Sequence, residues 1–154
     1  MFAGIILFAF LCYISDGYVI EVAKTDDTSQ LDQCEQITVP FCIDLSYNTT
    51  RMPNMLNHIK QDEAGLEVHQ FFPLVKVNCS PTLKLFLCYV YVPVCSDSEQ
   101  PIPPCRPLCL SAKSGCEGIM SKFGFEWPSH LDCAQFPEGT KDQDTDDVLC
   151  LSGE

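Results

Sequence analysis

Positive charge is scarce in this chain: 9 Lys and Arg stand against 21 Asp and Glu, a net charge of −12. So acidic a protein cannot hold a polyanion by neutralising its phosphates or sulfates, which argues against nucleic acid and heparin as partners. The densest acid lies near the end, at Asp142, Asp144, Asp146 and Asp147. It suits a basic protein partner, and solubility explains it equally well. Long apolar runs are also missing. Beyond residue 17 no stretch of eighteen apolar residues occurs, so no membrane span is expected in this chain. There is no internal repeat.

Motifs of metal and catalytic chemistry are absent too. Cys105 and Cys109, one helical turn apart, could hold zinc with another pair, but no Cys-x-x-Cys occurs and His58, His69 and His130 are scattered. No metal and no cofactor are expected. His58 with Asp62 and His130 with Asp132 are the nearest approximations to an acid–base pair. Neither has a glycine-rich metal loop or a nucleophile elbow beside it, so they read as ordinary surface or core histidines. No enzyme is expected.

What the chain does have is cysteine, eleven in all. Cys12 lies in the apolar run Ile5–Ile14, too short to cross a bilayer but the length of a signal-peptide core. Ser15-Asp16-Gly17 offers a small-x-small cleavage pattern, which places the cut before Tyr18, although no Lys or Arg precedes the apolar run. Residues 1–17 are thus expected to leave with the odd thiol. The ten cysteines from Cys34 to Cys150 then form an even set, as a disulfide framework requires, in a protein secreted or held on the extracellular face of the plasma membrane. About 137 residues remain, enough for one domain. Five bridges at roughly 2–4 kcal/mol each would dominate its stability and free some apolar residues for another use.

Residues 18–33 are polar and read as a loose N-terminal arm, 34–150 as the domain and 151–154 as a short stub. Glu35–Val39 alternates as a short strand ending at Pro40. Asn48-Thr49-Thr50 is a glycosylation sequon in a polar loop; Asn78-Cys79-Ser80 also fits, with a bridged cysteine making it a weaker acceptor. Three helices are expected. The first carries Ala64, Val68, Phe71, Phe72 and Val75 on one stripe, kinked or ended at Pro73. The second starts with Ser80 as N-cap and Pro81 at the first position, carries Leu83, Phe86, Leu87 and Val90, and stops at Pro93. The third aligns Cys105, Cys109, Ala112, Cys116, Ile119, Met120 and Phe123, with Gly124 as its C-terminal cap. The fold class is a small, mostly α, disulfide-rich domain with few short β-strands.

Apolar residues crowd together at His69–Leu74 and again at Ile119–Phe125, with Gln70 a lone polar group beside the first run. Spacing alone allows two readings, an ordinary core or a surface groove for an apolar ligand.

Cys34-Glu35-Gln36-Ile37-Thr38-Val39-Pro40-Phe41-Cys42, Tyr47-Asn48 and Met52-Pro53-Asn54 resemble the opening of the Frizzled cysteine-rich domain. Gln61-Asp62-Glu63-Ala64-Gly65-Leu66-Glu67-Val68-His69-Gln70-Phe71 is similar to that family's most recognisable stretch. Cys79-Ser80-Pro81, Pro103-Pro104-Cys105-Arg106, Phe123-Gly124-Phe125 and Trp127-Pro128 match as well, and all ten cysteines find a counterpart. The likeness covers Cys34–Cys150 and is greatest to the Frizzled one, two and seven subgroup; Leu110-Ser111-Ala112 departs from a more charged segment.

The resemblance implies a helical domain with five disulfides, Cys34–Cys95, Cys42–Cys88, Cys79–Cys116, Cys105–Cys150 and Cys109–Cys133, out of roughly 945 pairings. It implies binding of Wnt proteins through their mono-unsaturated acyl chain, in a groove matched here by Gln70, Phe71, Pro73, Leu74, Val77, Ile119, Met120, Phe123 and Phe125. A second ligand contact would fall on Leu85 and Val90. The domain could also pair with itself through the groove. Two roles fit this expectation: the ectodomain of a Wnt receptor, or a soluble decoy that sequesters Wnt.

Overall fold

The computed structural model describes residues 34–98, 100–139 and 149–153. The expected signal segment, the N-terminal arm and the acidic cluster Asp142–Asp147 lie outside the described residues. The elements run β1 (Glu35–Gln36), a 3-10 turn (Pro40–Cys42), β2 (Thr49–Thr50), α1 (Gln61–His69), α2 (Phe72–Lys76), α3 (Leu83–Tyr91), α4 (Arg106–Lys122) and 3-10 turns at Ser129–Leu131 and Cys133–Gln135. β1 and β2 form one antiparallel ribbon, Glu35 opposite Thr50 and Gln36 opposite Thr49.

α3 is the axle of the domain. Seven of its residues are buried, Leu83 and Phe86 through Tyr91, as befits a helix apolar on every side. α4 packs on it, α1 packs on it, and the Pro40–Cys42 turn closes over it. The Cys42–Cys88 bridge fixes that turn to α3. At the other side Phe86 meets Phe136 edge-on at 5.4 Å and stacks on Trp127 at 6.1 Å. All five disulfides are those the resemblance implied.

Several expectations shift in detail. The strand expected over Glu35–Val39 stops at Gln36; Ile37 N–H still donates to the Asn48 carbonyl at 2.9 Å, and the Gln61 side chain covers the opposite edge, Nε2 donating to the Gln36 carbonyl and Oε1 accepting from Thr38 N–H, both at 2.8 Å. The first helix ends at His69, before Pro73, and Pro73 occupies the opening turn of a separate α2. That break resets the helical phase, so Phe71 is buried whereas Phe72, expected on the same stripe, is exposed. Ser80-Pro81-Thr82 forms a turn ahead of α3, with Ser80 Oγ accepting from Thr82 N–H at 3.3 Å. The sequon residue Asn48 is exposed, at the end of the loop 43–48 that leads into β2.

Leu151 and Gly153, within the expected stub, pack against the domain. Leu151 bridges Pro104, its N–H donating to the Pro103 carbonyl and its carbonyl accepting from Cys105 N–H, each at 2.9 Å. Gly153 lies so close to Leu85 and Leu108 that a Cβ there would come within 2.9 Å of a Leu85 methyl carbon.

Candidate functional site

The C-terminal end of α4 sets the geometry of the apolar surface. Gly124 adopts φ +78°, a left-handed conformation that glycine takes without strain. Gly124 N–H donates to the Ser121 carbonyl at 3.1 Å and Phe125 N–H to the Met120 carbonyl at 3.0 Å, the paired bonds of a Schellman motif. Four backbone groups are thereby satisfied, and Phe123 and Phe125 are held on either side of the glycine. Their exposures are 74% and 65%. Leaving a phenyl ring in water forgoes roughly 1.5–3 kcal/mol of burial, so two of them side by side need a reason beyond folding. The segment after them is anchored: Trp127 Nε1 donates to the Leu131 carbonyl at 2.7 Å.

The segment after α2 is tied to α4 by the Cys79–Cys116 bridge. Gly115 permits this approach, since a Cβ there would lie 2.6 Å from the Cys79 carbonyl oxygen. Ile119 and Met120 follow Cys116 by one helical turn. Val77, the C-cap of α2, precedes Cys79 by two residues and is 58% exposed.

The nine residues expected to line a groove therefore divide. Val77, Phe123 and Phe125 are open to solvent, with Gln70 and Pro73 exposed and Leu74 and Ile119 half-buried. Phe71 and Met120 are interior residues at 3% and 7% exposure, and the Phe71 ring lies 6.4 Å from Tyr91. Of the second contact, Leu85 is half-buried and Val90 is fully buried, so Val90 has no surface to offer a partner. Asn78 is exposed, in a left-handed conformation at φ 51°.

A polar hub escaped the sequence reading. His58 and His130 both turn to Glu67, not to Asp62 and Asp132: His58 Nε2 lies 2.9 Å from one Glu67 oxygen and His130 Nε2 3.2 Å from the other. Asp62 is five residues from Glu67, about 140° away around the helix, and faces elsewhere. Tyr91 Oη donates to Glu67 at 2.8 Å, and burial, reinforced by that carboxylate, raises its phenol well above the ordinary range. Buried Asn54 locks the hub. Its Oδ1 accepts from the N–H groups of Leu56 and His58, while Nδ2 donates to the Tyr91 carbonyl at 2.8 Å and to His58 Nδ1 at 3.0 Å. His58 Nε2 is thus the donor to Glu67. Among the described residues no cluster of three or more ligating side chains is arranged to hold a metal ion. No helix among them is long and apolar enough to cross a membrane.

A helical shell stapled by five disulfides, with phenylalanines turned outward at the end of α4, defines a small cysteine-rich helical domain. Residues 34–140 match the Fz domain family. Frizzled-1 of Xenopus laevis is 60% identical over 104 residues, 68% of this chain and 19% of that protein. Protein mom-5 of Caenorhabditis elegans is 51% identical over 135 residues, 86% of this chain and 24% of that protein. The chain thus spans about a quarter or less of the curated relatives it matches. The crystal structure of the Smoothened cysteine-rich domain superposes with a TM-score of 0.54 at 26% identity, covering 70% of this chain and 95% of that one. A Xenopus Smoothened domain, solved with cyclopamine, shares the fold at 24% identity and a TM-score of 0.52, with 70% and 97% covered. The chain belongs to the Fz family and carries a Frizzled-type cysteine-rich domain. Such domains are extracellular and non-enzymatic.

Proposed function

We propose that this chain is the ligand-binding domain of a Frizzled-type receptor and that it takes the mono-unsaturated acyl chain of a Wnt protein onto the surface of Val77, Ile119, Phe123 and Phe125. The observation that carries this reading is the pair of outward-facing phenylalanines at a capped helix end, 74% and 65% exposed. Burial is worth about 0.8 kcal/mol per methylene, so a chain of about sixteen carbons could supply roughly 10 kcal/mol gross. Association and ordering remove a large part of that, on the order of 4–15 kcal/mol. Disulfides and the Schellman cap hold the receiving surface in place before the ligand arrives, which keeps the ordering cost low. Phe71 and Met120 support this surface from the interior, and Leu85 remains the proposed second contact.

The test is Phe125→Glu. Its side chain is exposed, so secretion and folding should be unchanged, while a carboxylate in the path of the acyl chain should abolish binding of acylated Wnt. Full affinity in the variant would contradict the reading.

A further inference from the structure

Of the two sequons in this chain, Asn78-Cys79-Ser80 borders the proposed acyl surface. Val77, 58% exposed, immediately precedes it, and Cys79 is bridged to Cys116, one helical turn before Ile119. Asn78 ends α2 as Gly124 ends α4. Its N–H donates to the Val75 carbonyl at 3.0 Å, and Cys79 N–H donates to the Leu74 carbonyl at 3.4 Å. These bonds make a second Schellman motif, with Asn78 in the left-handed position at φ 51°. Only backbone groups form that cap, so it holds the residue in place without using the side-chain amide, and Asn78 is exposed. Ser80, by contrast, is buried at 5% exposure, its Oγ donating to the Ser111 carbonyl at 3.2 Å.

We propose that part of the secreted protein carries an N-linked glycan on Asn78 and that this glycan screens the neighbouring acyl surface. One form then binds acylated Wnt freely and the other poorly. The screening rests on the acyl-surface reading above; the glycan itself does not. In the transfer, Asn78 Nδ2 bonds to the anomeric carbon of an oligosaccharide carried on a lipid pyrophosphate. The bond from that carbon to the pyrophosphate oxygen breaks, the lipid pyrophosphate leaves with the electron pair, and the amide gives up one proton. Folding withdraws the sequon, because Ser80 becomes buried and Cys79 bridged. The sugar must therefore arrive before the Cys79–Cys116 bridge closes, and that race leaves both forms in the secreted protein. A glycan is bulky and solubilising. From Asn78 it sweeps the space over Val77, through which a protein ligand must bring its acyl chain.

The experiment uses the Asn48→Gln chain secreted from animal cells, which leaves Asn78 in the only sequon. Lectin chromatography separates the glycosylated from the bare form, and mass spectrometry places the glycan. Each form is immobilised and its association with acylated Wnt is followed. The glycosylated form should associate more slowly by about tenfold or more, within the roughly one to three decades over which variants of one interface differ. Trimming the glycan to its first sugar should restore the rate. Asn78→Gly keeps the left-handed cap and removes the acceptor amide, so it should match the bare form. If Asn48→Gln is not secreted, the unaltered chain beside Asn78→Gly gives the same comparison. Reductant added during synthesis delays the bridge and should raise occupancy at Asn78. No glycan on Asn78, or equal association of the two forms, would overturn the inference. Failure of both forms to bind acylated Wnt would remove the acyl surface itself, and the screening with it.

Discussion

Gly115 and Gly118 lie one turn apart in α4, and replacing each by alanine separates helix propensity from tertiary contact. Propensity alone predicts that both substitutions stabilise the helix by about 0.8–1 kcal/mol. A Cβ at Gly118 meets nothing within 4 Å, so Gly118→Ala should realise that gain. At Gly115 the new carbon would fall 2.6 Å from the Cys79 carbonyl oxygen and 2.8 Å from Ser80 Cβ. Neither neighbour can yield easily, because the Cys79–Cys116 bridge pins that corner to α4. Overpacking of this kind costs typically 1–3 kcal/mol. The propensity gain is common to both variants, so Gly115→Ala should be less stable than Gly118→Ala by the overpacking cost, about 1–3 kcal/mol. Guanidinium unfolding with the disulfides intact, followed by the fluorescence of Trp127, the sole tryptophan, measures this directly. Gly115→Ala should also weaken acylated-ligand binding, because α2 and α4 must move apart. Equal stability of the two variants would refute the close approach on which the surface depends.

Asn54→Ala should cost roughly 2–4 kcal/mol in the same unfolding assay, because it strands two backbone N–H groups and the Tyr91 carbonyl around a buried side chain. Burial raises the phenols of Tyr47, Tyr89 and Tyr91 in the folded state, so folding favours their protonated forms. That contribution is complete below about pH 10 and is lost as pH rises through the folded-state values. Stability measured by urea unfolding should therefore decline above about pH 10, and Tyr91→Phe should make the decline shallower. Glycosidase treatment and mass spectrometry of the secreted protein should find a glycan on Asn48, removed by Asn48→Gln, with less occupancy at Asn78.

Local signals carried much of the fold. Cysteine parity implied a stapled extracellular domain, Pro73 marked a helix break, and Gly124 marked the end of α4, where it sits at φ +78°. These features act through backbone conformations that neighbouring residues fix on their own. Depth of burial is a different matter. Phe71 and Phe123 sit in equally apolar runs, yet one is interior and the other exposed. The difference comes from the break after His69 and from the length of α4, whose 17 residues outrun the 9 of α3. The Glu67 hub draws on α1, α3, the loop before α1 and the turn at His130, so no spacing within one segment reveals it. The same holds for Leu151, which pairs with Pro104, far away in sequence, beside the Cys105–Cys150 bridge.

The most direct test of lipid capture compares one Wnt protein with and without its acyl chain in binding to the purified domain. Capture by the Val77–Phe123–Phe125 surface predicts that removing the acyl chain lowers affinity by several orders of magnitude, since roughly 10 kcal/mol of gross burial is withdrawn. Equal affinity for the two forms would contradict it.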